Sequence, residues 1–170
     1  MALERERTTE MADKQEEIKA LQMVVTGLSD QSFSHRIQGL VFGAKGLQAL
    51  ADKYAAHANE EMAWVEKFAN RILDLGGDVK IEARPEVKVY DDTVEYLKSE
   101  KKVSEEGIAQ VTARRPAFEG DVVAYEDMKA YLIDEDADLQ ETNQDLELIE
   151  LIGVQNWLVQ KLAGTADSAE

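Results

Sequence analysis

The sequence predicts an all-α protein: four long helices in a bundle, with a short fifth helix at the C-terminal end. Three observations carry this. Only two prolines, Pro85 and Pro116, interrupt the 170 residues, so long helices are permitted almost everywhere. Apolar residues recur at three-then-four spacing in four separate stretches, which puts each set on one helical face. Between the second and third stretch, DVKIEARPEVKVY alternates loosely and has no second strand-like run to pair with. It therefore reads as an extended crossover rather than part of a sheet.

In chain order, residues 1–12 are charged and polar and read as a flexible extension. Residues 13–163 read as a single domain and 164–170 as a tail. The first helix is expected from about Asp13, an N-cap residue, to the Gly43–Gly46 turn. Ile18, Leu21, Val25 and Leu28 form its stripe, continued by Phe33, Ile37 and Leu40. Gly27 and the following SDQS weaken its middle and allow a break there. The second helix carries Leu47, Leu50, Tyr54, Ala58, Val65, Phe68 and Ile72, and ends at LGG, where glycine supplies a left-handed cap.

Asp91 and Asp92 open a third helix with Val94, Leu97, Ser104, Ile108 and Val111 on its stripe. Arg115-Pro116 ends it, because a residue before proline avoids helical geometry. The fourth helix runs from about Glu119 to Ile152 on Tyr125, Met128, Leu132, Leu139, Thr142, Leu146 and Ile149. A fifth, Val154 to Leu162, carries Trp157 and Leu158. A short turn, a long crossover and another short turn make two antiparallel pairs laid together.

With 35 acidic against 19 basic residues the chain has a net charge of −16, which argues against nucleic-acid binding through phosphate contacts. No apolar run reaches membrane-spanning length and no hydrophobic leader is visible, so no membrane contact and a cytoplasmic location are expected. The absence of cysteine excludes disulfides and thiolate sites. Phosphate-cradling glycine loops, catalytic triads and zinc spacings are likewise missing.

The informative departures are two carboxylates on apolar stripes. Glu61 holds the place between Ala58 and Val65, and Glu135 the place between Leu132 and Leu139. A buried carboxylate is costly unless neutralised. Two of them facing inward point to a metal site or a proton-sharing pair inside the bundle. The alternative is a structural role, each bonded to a buried Tyr, Ser or Arg. His57, one turn before Glu61, has chelating spacing but reads as a surface residue, and His35 has no assigned role.

EEMAWVEKFANRILDLGG resembles the second helix of bacterioferritins, and DEDADLQETNQDLELIELIGVQNWLVQKL resembles their fourth and fifth. The crossover into DDTVEYLKSE is similar in length, and the likeness covers the chain from about Met11 onward. The resemblance implies the ferritin-like bundle, ferrous iron oxidised at a di-iron centre, and mineral stored in a hollow shell of about 24 subunits. Two Glu-x-x-His motifs supply that centre in the family. Here the glutamates match at Glu61 and Glu135, while Trp64 and Asp138 stand at the histidine positions.

The family's remaining carboxylates fall near Leu28 and Ser104, with Asp30 and Glu105 close in sequence but directed elsewhere. The paired site is then incomplete, and no catalytic residue is assigned. Glu61, Glu135 and Asp138 remain as oxygen ligands for one cation, with iron the one expected, and Trp64 is large enough to fill the space beside them. The family also binds haem b between two subunits through a methionine from each, and Met62 stands at that position, on the flank of the stripe beside Ala55 and Asn59.

The resemblance of GVQNWLVQKL to the segment around the shell's four-fold axis implies that Trp157 and Leu158 bury area between subunits. The expectation is a bacterioferritin-like iron-storage shell subunit, a homo-oligomer or a co-assembly with a catalytically competent ferritin subunit. The rival is a ferritin-like scaffold or stress-related binding protein without iron chemistry.

Overall fold

The computed structural model describes residues 2–162. Five α-helices follow in order: α1 (Ala2–Ala44), α2 (Gln48–Asp74), α3 (Thr93–Arg114), α4 (Val122–Ile152) and α5 (Val154–Gln160), with a 3-10 turn, Arg115–Phe118, before α4. The all-α bundle, the long connection between α2 and α3 and the short C-terminal helix agree with the sequence pattern. The expected tail, 164–170, lies outside the described residues, as does Ala163 at the expected domain end.

The ends of the helices follow from local chemistry. Asp92 accepts from the Glu95 amide at 2.8 Å, and Asp121 accepts from the amides of Val123 and Ala124 at 3.0 and 3.2 Å. At the end of α2, Gly76 has φ +75°, the Gly77 amide donates to Ile72 and the Gly76 amide to Leu73. That paired bonding is a Schellman motif, and the left-handed residue it requires is the glycine of LGG.

α1 departs from expectation at two points. It begins at Ala2, ahead of the Asp13 cap, and it passes through Gly27 and SDQS without a break. Its stripe also differs beyond Leu28. Phe33 and Leu40 are 55% and 67% exposed, whereas Ser32, His35, Gln38 and Phe42 are buried.

α1 packs chiefly on α2, and α3 on α4. Two apolar clusters result. Leu21, Val25, Leu28, Phe68, Ile72, Val111, Phe118 and Met128 fill one end of the bundle. Phe42, Leu50, Tyr54, Tyr96, Leu97 and Trp157 fill the other. Trp157 on α5 is fully buried inside its own chain, its indole N–H donating to Asp145 at 2.9 Å. The expectation that Trp157 buries area between subunits is therefore corrected: α5 caps the bundle it belongs to, and its fixed return is set by Gly153 at φ +80°.

Candidate functional site

Between the two apolar clusters the bundle centre is polar. Ser32 and His35 come from α1, Tyr54, His57 and Glu61 from α2, Tyr96 and Glu100 from α3, and Tyr131, Glu135 and Asp138 from α4. The helical repeat brings each inward: on α1, Leu28, Ser32, His35 and Phe42 continue one face, and on α3 Glu100 fills the gap between Leu97 and Ser104. The Ser32 hydroxyl donates to the Ala58 carbonyl at 2.6 Å, pinning α1 to α2 one turn before Glu61.

His35 is the hub. Its Nδ1 lies 2.9 and 3.0 Å from the two carboxylate oxygens of Glu61, and its Nε2 lies 2.8 Å from Oε1 of Glu100. Only the imidazolium donates from both nitrogens. Burial alone favours the neutral ring, but the charge and hydrogen bond of Glu100, with those of Glu61, outweigh it and hold the His35 pKa at about 10. Glu100 is held below its ordinary value: burial pushes upward, and His35 more than reverses it. Glu61 is raised, because burial exceeds the opposing help from His35.

Glu135 has no such partner. Burial, then the neighbouring Glu61 and Asp138 charges, push it up to about 8, so at neutral pH it carries a proton. Asp138 is raised to about 6 by burial and by Glu60 and Glu141. It sits 3.5 Å from Nδ1 of His57, whose pKa is lowered to about 4 by burial and by the nearby His35 charge. His57 is thus neutral and packed against Tyr54 and His35 rather than lying on the surface. The arrangement stores one positive charge and at least one labile proton in a low-dielectric layer.

Of the residues singled out from sequence, Glu61 and Glu135 are brought together, and Asp138 lies on the α2–α4 side of the same layer. Met62 is not part of it. It is 38% exposed and opens into a separate hollow lined by Ser29, Phe33, Arg36, Asn59 and Arg84. Trp64 stacks on Phe68 at 5.7 Å and donates its indole N–H to Asp134 at 3.1 Å, which closes the layer from below. Leu28 is part of the apolar cluster at one end, and Ser104 lies one turn past Glu100. The α3 carboxylate is Glu100, and α1 contributes His35 instead of an acid.

Among the described residues, no group of three or more histidine, aspartate or glutamate side chains is arranged to hold a metal ion. The donors are turned toward one another: both His35 nitrogens are taken, and they take Glu61 and Glu100 with them. As placed, these residues do not fit a paired iron centre.

No described helix is long and apolar enough to cross a membrane. Residues 18–152 match the family model described as Ferritin-like domain. No curated protein matches the chain.

Proposed function

This chain belongs to the ferritin-like family, and we propose that it is a ferritin-like scaffold, a binding protein whose bundle centre is neutralised by its own imidazolium instead of by iron. The observation that carries this is His35, bonded through both nitrogens between Glu61 and Glu100. One internal cation serves the two carboxylates, so a divalent ion entering there has to displace His35 and a proton. Buried charge pairs of this kind resist opening, because removing one partner leaves the other uncompensated. Anaerobic calorimetric titration with ferrous iron at neutral pH is expected to show no saturable uptake of two ions per chain. Rapid, saturable oxidation at that stoichiometry on admitting air would overturn the reading.

A second reading keeps the iron. Glu135 stands against Glu61, where a proton offsets what the His35 charge and the Tyr131 hydroxyl leave uncompensated, and Asp138 lies beside it. A cation in that position would replace the proton, and the chain would then act in the cytoplasm as a bacterioferritin-like storage subunit. It would do so in a shell of about 24 copies, or in a shell shared with a subunit that oxidises iron. Met62 belongs to this reading. It lies on the outer flank of α2 beside Phe33, with Arg36 in the same hollow as a counter-charge for acidic groups. A two-fold axis through that flank would set two thioethers opposite each other, as a low-spin haem b requires. A visible spectrum of haem-loaded protein, compared with Met62→Leu, tests it. Equal loading of both proteins would remove haem from the function.

A further inference from the structure

α1 and α3 belong to different helix pairs, and a groove of about 510 Å³ runs between them beneath the α2–α3 crossover. Its size is that of a small-molecule pocket, which is commonly about 300–1,000 Å³. We infer that this groove binds a small organic amine with a hydrocarbon body, its nitrogen seated against Glu100 and Tyr96.

The walls supply the apolar part. Met23, Leu28, Ile37, Val103 and Val111 line it, and Gly27 on α1 and Gly107 on α3 leave space where a side chain would stand: a Cβ at either would meet no atom within 4 Å. The roof is fastened on both sides. Gln38 holds the Tyr90 backbone at both its amide and its carbonyl, each at 2.9 Å, and the Tyr90 hydroxyl donates to Ser99 on α3 at 2.8 Å. Arg84 further along is tied to Asp30 at 3.1 Å.

The floor supplies the polar part. The hydrogen bonds from His35 and from Gln31 both land on Oε1 of Glu100, a residue that lines the groove. The buried Tyr96 hydroxyl lies beside it, close enough to help hold the Glu100 carboxyl low, yet it makes no hydrogen bond of ordinary geometry among the described residues. Glu61 and Glu100 share the single His35 charge, so an ammonium group, which donates several hydrogen bonds, adds a second positive charge on the groove side of Glu100 and reaches the Tyr96 oxygen as well. A carboxylate or phosphate head meets repulsion there instead. The basic side chains of the lining offer an anion little, since Arg84 is engaged by Asp30 and Lys88 by Glu95 at 3.3 Å.

Octylamine, octanol and octanoate, titrated into the full-length protein by calorimetry, separate body from head. Octylamine is expected to saturate at one per chain and to bind roughly ten- to hundredfold more tightly than octanol, the usual range for a charged hydrogen bond. Octanoate should bind weakest. Gly107→Leu, which improves helical propensity and fills the groove, should abolish octylamine binding with helicity retained. Gly27→Leu does the same from the opposite wall. Glu100→Gln should bring octylamine down to the affinity of octanol while leaving octanol unchanged. Absent octylamine saturation, octanoate binding as tight as the amine, or unaltered binding in both leucine variants overturns the inference.

Discussion

His35 carries a charge that burial alone would deny it, and the carboxylates that grant the charge depend on it in return. Replacing it by alanine leaves Glu61 and Glu100 without their partner in a low-dielectric layer that already holds Glu135. His35→Ala is expected to lose about 3–5 kcal/mol in metal-free denaturant unfolding, the usual cost of breaking a buried pair. It is also expected to gain binding of zinc or manganese, which would restore stability by mass action. A variant as stable as the parent, and indifferent to metal, would show the hub to be incidental. Glu61 and Glu135 should part company under Gln substitution. Glu135 is already protonated at neutral pH, so Glu135→Gln should be neutral or slightly stabilising, whereas Glu61→Gln weakens the bond to His35 and should cost about 1.5–3 kcal/mol. Glu61 and Glu135 were legible because each interrupts an otherwise apolar stripe. Glu100 and His35 were not, because on α3 and α1 the neighbouring core positions are also polar, Ser104 and Ser32, and an apolar template passes over such a run.

At the level of elements, α2 and α4 were the most legible. Their stripes are apolar over most of their length, and the structure buries or half-buries every position that the spacing reserved. The second half of α1 misled for a physical reason. Phe33, Ile37 and Leu40 do make a helical row, but that row faces away from the bundle centre, and Phe33 and Ile37 border the groove. α5 was read correctly as a helix, and its Trp157 incorrectly as an interface residue, since spacing reveals which residue is buried but not which chain buries it. Trp157 fills the end of the Tyr54–Tyr96 cluster, and Lys161 and Lys53 converge with it on Asp145. Trp157→Ala is expected to cost about 3–5 kcal/mol in denaturant unfolding, as large-to-small changes in a packed core do. The loss should be independent of protein concentration. A concentration-dependent loss would return Trp157 to an interface between chains.

Across the whole molecule, the buried acids set an unusual pH dependence. Glu17, Glu135 and Asp138 are raised to about 7, 8 and 6, so in each case the folded state holds a proton that the unfolded chain releases near its ordinary value. Stability from these groups is present below about pH 4 and falls as pH rises through 6 to 8. His35 extends the fall toward pH 10. Glu100 and Asp121 act in the opposite direction, since both are held low, and their contribution is present above the ordinary carboxylate range and lost as pH falls below it. Denaturant unfolding is therefore expected to show greatest stability near pH 5 and a loss of at least about 2 kcal/mol by pH 8. A maximum at pH 8 would mean that the cluster is compensated by something other than protons.

The same net charge of −16 bears on assembly, because copies of so acidic a chain approach only where apolar contact outweighs repulsion. With Trp157 withdrawn into its own bundle, the large apolar side chains exposed around the α4–α5 turn among the described residues are Leu151, 80% exposed, with Val159 and Leu162. If a shell of about 24 subunits forms, these residues are expected to contribute a contact that closes it. The double variant Leu151→Lys with Val159→Lys should then run as a much smaller species in light scattering. Its subunit stability should change by no more than about 0.5 kcal/mol, because neither side chain is buried within one chain. A parent protein that is monomeric at every concentration removes the shell altogether, and a double variant that still assembles moves the contact to another face.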